Sequence, residues 1–579
     1  MFAFLGAAFA LGSGPPPHRF FSLTHTGDRW WLQAPGGSRF WSFGVDCVGQ
    51  GTTWDENHPG KDSYAGYRLF PSGKAWVDST LSRLRSWGFN TLGGWCDDDL
   101  LSRYGGKQMM PYAVVLHLGS YDKLPWNDLW APDAAKLIDA AAQKLIPPLK
   151  NDPKLIGYFT DNELGWWDDT LFIYYWKMKP ASPGRQELLH LLRTTYHQNF
   201  LSAKKDFVVG KAQSFRDLEQ GKGTLLVRPG GNGIRLVHAF VHQMALRYYR
   251  LVHQAVRLYD TNHLILGDRY CGYYAPEVAT AAIGLTDVVS SNLGADWNDG
   301  TLAHYFLSGL YQADHRPVII GEFYMCATEN ASGDPNSVKA FPIVETQAQR
   351  AAAFATDIRQ MAQVPWVVGA HWFQFYDEPP AGRGDGEDCN MGLIDIHGGV
   401  YGGMVRAAAA AHPGEVHAQV RPKTAAGIPH APQDPMSGLK GWERERGFIP
   451  PASGFPFADL YACADSQALY LGLHEMEYMD PSIYPGFVAP KSELPCWTVS
   501  VNGCVPIHVR FLGKAKPSVD RSGIALTANP NLKTSLMLKI PWRTLGLDKA
   551  PGQVQIVSGL TSHSRGFSMS WRAEEKLAP

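Results

Sequence analysis

Between residues 40 and 373 the chain alternates short apolar runs with longer segments whose apolar residues recur at helical spacing. The apolar runs are 40–48, 90–95, 112–118, 155–160, 263–267, 288–291, 317–321 and 367–373. Helical patterns fill 76–87, 132–145, 237–259, 303–313 and 346–362, several behind helix-start signals such as Pro132-Asp133 and Asp299-Gly300. Continuous apolar strands suit a parallel sheet covered on both faces. Eight strands alternating with helices predict a (β/α)8 TIM barrel. A doubly wound open sheet is the alternative, but no Gly-rich phosphate loop follows the first run.

Past residue 413 the helical periodicity fades. "GIPHAPQDPMSG" reads as linker, and "DLYACADSQALYLGL", "CWTVSVNG", "PIHVRFLG" and "TSLMLKIPW" read as short, regularly spaced strands. The expected organisation is a signal-like or merely apolar arm over 1–18, a barrel over 19–413, a linker over 414–435 and an antiparallel β-sandwich over 436–579. One connection is oversized. An insertion over 165–240 follows the fourth strand and is expected to lie over the barrel mouth and shape the substrate site.

Composition narrows the function. With 53 basic and 54 acidic residues, the chain carries no electrostatic footprint for nucleic acid or an anionic membrane. Its 19 Trp and 24 Tyr suit sugar stacking as well as a large core. Eight scattered cysteines form no Cys-x-x-Cys pair, so no zinc or metal site is assigned; Cys496 and Cys504 have the spacing of a hairpin bridge. The apolar start has the length of a signal core without its positive flank, which points to a secreted or periplasmic protein.

Active sites of such barrels sit at the C-terminal ends of the strands. There the fourth run ends in Asp161-Asn162-Glu163 and the seventh in Gly321-Glu322. Two glutamates facing each other across the axis are what glycoside hydrolysis needs, one to protonate the leaving oxygen and the other to attack the anomeric carbon or activate water. Trp372, at the end of the eighth strand, is expected to floor the sugar subsite. His117, Arg269 and Asn292 end strands three, five and six and are candidate ligands of sugar hydroxyls, as are Tyr324 and Gln374 beside them. Alone, each of these has an equally ordinary structural use, as an ion pair, a loop cap or core.

"YFTDNELGW", "RPVIIGEFYM" and "VVGAHWFQFYDEPPAGRGDGEDCNMGLIDI" resemble the agarases of glycoside hydrolase family fifty, as do "LSRLRSWGFNTLGGW" and "TNHLILGDRY". The resemblance covers about residues 30–411. It implies a retaining β-glycosidase with Glu163 as acid/base, Glu322 as nucleophile, Asn162 on the 2-hydroxyl of the sugar, and no cofactor. Asp161 either orients Asn162 or caps the following loop. Tyr324-Met325-Cys326 and "GEDCN" depart from the agarase pattern near the subsites, so the implied substrate is a β-linked, galactose-containing glycan rather than agarose specifically. Alternatives are a relative acting on glucan, mannan or xylan, with specificity set by loops such as 165–235, and a non-catalytic carbohydrate-binding protein. The C-terminal part resembles family-nine carbohydrate-binding modules, which implies Trp497, Trp542 and Trp571 as sugar platforms or core.

Overall fold

The computed structural model describes residues 19–51, 61–120, 128–166, 170–228, 230–272, 276–338, 341–419, 427–476, 495–512, 515–529, 533–562 and 566–578. The apolar start and part of the expected linker lie outside them. Among the described residues no helix is long and apolar enough to cross a membrane.

The apolar runs form parallel strands at Ser42–Val45, Thr91–Leu92, Tyr112–Val115, Leu155–Phe159, Leu264–Gly267, Val289–Asn292, Val318–Phe323 and Val367–Trp372. Their side chains are almost all buried, as a sheet covered on both faces requires. The fifth strand pairs with the fourth through Leu264–Gly267, and its continuation Tyr270–Cys271 pairs with the sixth. One strand thus stands at both ends of the sheet order, and the fold is TIM-barrel-like. Helices follow each strand, among them Gly73–Ser86, Ala134–Leu145, Gly233–Tyr259, His304–Asp314 and Gln347–Gln363. The helix at 347 starts with a capping box between Thr346 and Gln349. A small antiparallel sheet (Ser22–Thr26, Arg29–Gln33, Arg39–Phe40) closes the lower end, its Phe21 and Leu32 joining Ile156, Leu266, Ile319 and Val368 in one cluster.

The insertion folds as helices Thr170–Lys177, Pro183–Thr195, Phe200–Asp206 and Phe215–Glu219 with a two-stranded pair, Phe207–Val208 and Leu226–Val227. Its apolar residues Leu188, Leu189 and Leu192 are buried in the same cluster as Val237, Phe240 and Val241 of the long helix.

Beyond the barrel lie two antiparallel sheets, one of five strands and one of six. Leu460, Leu471 and Leu538 of the first and Trp497, Val509 and Ile556 of the second share a core. Trp497, Trp542 and Trp571 are all sealed in it, so none is a sugar platform. Cys496 and Cys504, whose spacing allows a hairpin bridge, are free: Cys496 faces Arg510 in its hairpin ladder, whereas Cys504 sits in the connecting turn. The expected linker is anchored at both ends. Helix Pro413–Ala418 hangs on the barrel through His417, which meets the carbonyls of Ala362 and Trp30, and Ile428 joins the second sheet by donating to the carbonyl of Lys576.

The second unit grips the loop after the sixth strand. Arg444 donates to Asp299 (2.6 Å) and Thr301 (2.9 Å), Asp459 accepts from the His304 amide (2.6 Å), and His474 meets Asp296 (3.2 Å).

Candidate active site

A cavity of about 810 Å³ opens at the C-terminal ends of the barrel strands. Asn162, Glu163, Glu322, Tyr324 and Gln374 all line it. Residues far apart in the chain therefore converge where the sequence placed them.

The fourth strand runs apolar to Phe159 and then turns polar. Asp161 is fully buried and accepts from the amides of Gly119 (2.7 Å) and Ser120 (3.1 Å), from the Ser120 hydroxyl (3.0 Å) and from Tyr248 (2.7 Å). It therefore ties down the loop after strand three rather than orienting Asn162. Burial pushes its carboxyl up to about 6 against these hydrogen bonds. Asp161→Ala strands these donors and is expected to cost about 3 kcal/mol of stability, measured by urea unfolding.

Glu163 takes a left-handed backbone conformation (φ 50°), which turns the chain at the strand end. Its amide donates to the carbonyl of Arg269 (3.1 Å). Asn292 Nδ2 donates both to Glu163 Oε1 (2.9 Å) and to Asn162 Oδ1 (3.1 Å). Asn292 is buried and absent from the cavity wall; it holds the two residues that face the cavity instead of reaching for sugar itself.

Arg269 is the hub of the site. Its guanidinium is fully buried, donates to Asp46 (2.6 Å) and the Gly321 carbonyl (2.7 Å), and lies 3.0 Å from Glu322 Oε1. Arg269 is absent from the cavity wall, and its Nη2 serves the carboxyls of Asp46 and Glu322 and the Gly321 carbonyl, so the structure places this candidate hydroxyl ligand behind the wall as a support of the carboxyls. One residue fixes both glutamates, Glu163 through its backbone and Glu322 through its side chain. Room for it comes from glycine. A Cβ on Gly321 would sit 2.5 Å from Arg269 Nε, and one on Gly94 2.6 Å from Nη1. The Gly-Glu motif of the seventh strand is thus a packing requirement of the arginine.

Glu322 is 7% exposed. Burial pushes its carboxyl well above the usual range, Arg269 pulls it back, and the Glu163 charge pushes it up again. Nearby, burial raises Asp46 to about 6 and lowers His371 to about 3, with Arg269 opposing the first and reinforcing the second.

Trp372 does not floor the site. It is fully buried, donates to the Met391 carbonyl (2.9 Å) and packs on Phe323 and Phe354. His371, the residue before it, points into the barrel to meet Ser42 (2.9 Å), so strand alternation sends Trp372 outward against the helix at 347. His117 ends strand three but accepts from the Trp95 indole N–H (3.2 Å); burial, followed by Arg269, lowers its pKa.

The remaining wall was not anticipated. Cys47 and Ser63 come from the loop after strand one, Trp95 from the turn after strand two, Cys271 from strand five, Val338 and Phe341 from the seventh loop, and Phe373 with the loop residues from Tyr376 to Met391 from the eighth. Arg383 there pairs with Glu378 (3.2 Å), Asp385 (2.8 Å) and Glu387 (2.5 Å). No lining residue comes from the 165–240 insertion among the described residues, because its apolar face is turned onto the long helix. Much of the described wall therefore comes from the loops after strands seven and eight. The available signal was the density of charge and glycine in "EPPAGRGDGEDCN". Among the described residues no cluster of three or more His, Cys, Asp or Glu is placed to hold a metal ion.

Fold and site together define a TIM-barrel-like protein with a carboxylate-lined cavity at its strand ends, the general form of a glycosidase. The chain is agarase-like in sequence, as the motifs led one to expect. It is 28% identical over 364 residues to β-agarase B of Vibrio sp. (strain JT0107), a match spanning 58% of this chain and 36% of that protein. It is likewise 28% identical over 352 residues to β-agarase A of the same strain, spanning 55% and 34%. The chain thus spans about a third of the length of these relatives. Similar solved structures include an exo-β-agarase (TM-score 0.59, 23% identity, covering 70% of this chain and 66% of that one) and the agarase AgWH50C (TM-score 0.57, 23% identity, 69% and 66%). At such identity they support the fold. No family model matches the chain.

Proposed function

We propose that the protein is a retaining β-glycoside hydrolase acting on a galactose-containing poly- or oligosaccharide of the agar type. The observation that carries the reading is that Glu163 and Glu322, from strands four and seven, line one cavity and are both positioned by Arg269. The similarity to β-agarases supports the substrate class. Tyr324, Cys326 and Cys389, which set the chain apart from the agarase pattern, stand in or beside the cavity wall and favour keeping the substrate as a galactose-containing β-glycan.

In this mechanism Glu322 attacks the anomeric carbon while Glu163 gives its proton to the leaving oxygen. Water, deprotonated by Glu163, then releases the sugar from Glu322. Asn162 binds the hydroxyl next to the reacting centre. The residues 19–413 carry the chemistry, and the two-sheet unit supports the loop that follows the sixth strand, at whose end Asn292 reaches Glu163. A polymer that does not enter cells fits a secreted or periplasmic enzyme.

The reading is tested by incubating the protein with agaro-, gluco-, xylo- and manno-oligosaccharides. Cleavage confined to the galactose-containing members is expected. Cleavage only of the others would retain the carboxylate pair and overturn the substrate.

Arg269 provides a pH test. Its charge lowers the Glu322 carboxyl, so Arg269→Met removes a stabiliser of the ionised form and raises it further. The nucleophile works ionised, and activity is lost as pH falls through its pKa. The acidic limb of kcat/KM is therefore expected to move to higher pH by about 1–2 units, read from a pH–rate profile on an aryl β-galactoside. An unmoved limb would separate Arg269 from the ionisation of Glu322.

A further inference from the structure

With Trp372 sealed in the core, a different indole faces the substrate. Trp95 is 38% exposed in the turn just past the second barrel strand, where it lines the cavity. Its neighbour Phe373, edge-on at 6.4 Å, is only 6% exposed. Three contacts hold the Trp95 ring still. The Arg269 guanidinium lies 4.2 Å from its centroid, its N–H donates to His117 Nε2 (3.2 Å), and Phe373 meets it edge to face. Its backbone is left-handed (φ 54°), which a bulky residue adopts only when its surroundings hold it there.

We propose that Trp95 is the stacking platform of the subsite at the reaction centre and receives the apolar face of a galactose-type pyranose. The inference rests on the glycosidase reading above. Position supports it. The guanidinium that backs the indole also touches Glu322 at 3.0 Å, so the platform is one guanidinium's width from the nucleophile. Chemistry supports it too. The surrounding wall carries the carboxyl groups of Glu163, Glu322, Glu378, Asp385 and Glu387, which suit hydroxyls. Among them an immobilised indole offers a large apolar surface whose desolvation becomes favourable only against C–H groups. Galactose has them. Its axial 4-hydroxyl leaves the hydrogens of C3, C4 and C5 together on one face, whereas an equatorial 4-hydroxyl, as in glucose, divides them between faces. The His117 contact also sets a condition: Nε2 accepts only while the imidazole is neutral, and burial and Arg269 favour that form.

The test uses the full chain carrying Glu322→Gln, which binds without turnover, titrated with an agaro-tetrasaccharide and followed by tryptophan fluorescence and calorimetry. Adding Trp95→Ala is expected to weaken Kd about tenfold or more, and Trp95→Phe to recover most of the loss while abolishing the fluorescence change. In the otherwise wild-type chain, Trp95→Ala should raise KM more than it lowers kcat. A residue that merely props Arg269 would do the reverse, lowering kcat and shifting the acidic limb with Kd unchanged, and that result overturns the proposal. So does a Kd within about twofold of the parent in Trp95→Ala. If Trp95→Ala fails to fold, judged by its melting temperature, the loss of the fluorescence change in Trp95→Phe decides the question alone. If Glu322→Gln binds a glucan, xylan or mannan oligosaccharide instead, the galactose assignment fails, while the same Kd ratio on the bound sugar still tests the platform.

Discussion

Glu322→Gln is expected to reduce turnover of every substrate by about 10⁴-fold or more, with little change in fold stability. An amide keeps the size of the carboxylate but cannot attack the anomeric carbon, so the first step is lost whatever the leaving group. The buried setting makes the substitution mild structurally. The carboxyl is already pushed well above the usual range by burial, and a neutral amide relieves that cost while giving up the ion pair with Arg269. Arg269 keeps Asp46 as its second partner. Steady-state kinetics with a thermal melt check both halves. A loss of activity accompanied by a collapse in melting temperature would point to a scaffold role for Glu322.

Glu163→Gln should behave differently. General acid catalysis contributes about 10²–10⁴-fold where the leaving group needs a proton. Cleavage of an oligosaccharide is expected to fall by that amount, whereas kcat/KM for an activated aryl β-galactoside should fall by about tenfold or less. The glutamine amide still has an oxygen to accept the Asn292 hydrogen bond, and the backbone bond to Arg269 is untouched. Equal losses on both substrates would mean that Glu163 does not deliver the leaving-group proton.

The strands were legible because burial on both faces demands unbroken apolar runs, and the polar residues that end them have a place only at the mouth. Asp161-Asn162-Glu163 and Gly321-Glu322 could be read from the sequence for that reason. Side-chain direction was not legible. Trp372 ends the eighth strand, whose alternation sends it outward into the helix layer, whereas Trp95 stands in the turn after Thr91–Leu92, where a left-handed backbone lets it face the cavity. Arg269 looked like a sugar ligand, since nothing local reveals that Asp46, 223 residues away, claims it. The insertion was assigned to the mouth by its length. Its Leu188, Leu189 and Leu192 fold it onto the long helix instead, leaving the compact loop after strand eight to form the wall.

The site has an economy that follows from the topology. Strand five sits between strands four and six, and Arg269 at its end can therefore hold Glu163 by its carbonyl and reach Glu322 with its guanidinium. A side-chain substitution there should disturb Glu322 directly while leaving the carbonyl that holds Glu163.

The central claim is a double displacement between Glu163 and Glu322, and the most direct measurement is the configuration of the first-formed product. Proton NMR of wild-type hydrolysis of an agaro-oligosaccharide, recorded before mutarotation, should show the β-anomer appearing first and the α-anomer only as equilibration proceeds. An α-anomer at the earliest times would mean inversion in one step, and would contradict the assignment of Glu322 as a nucleophile.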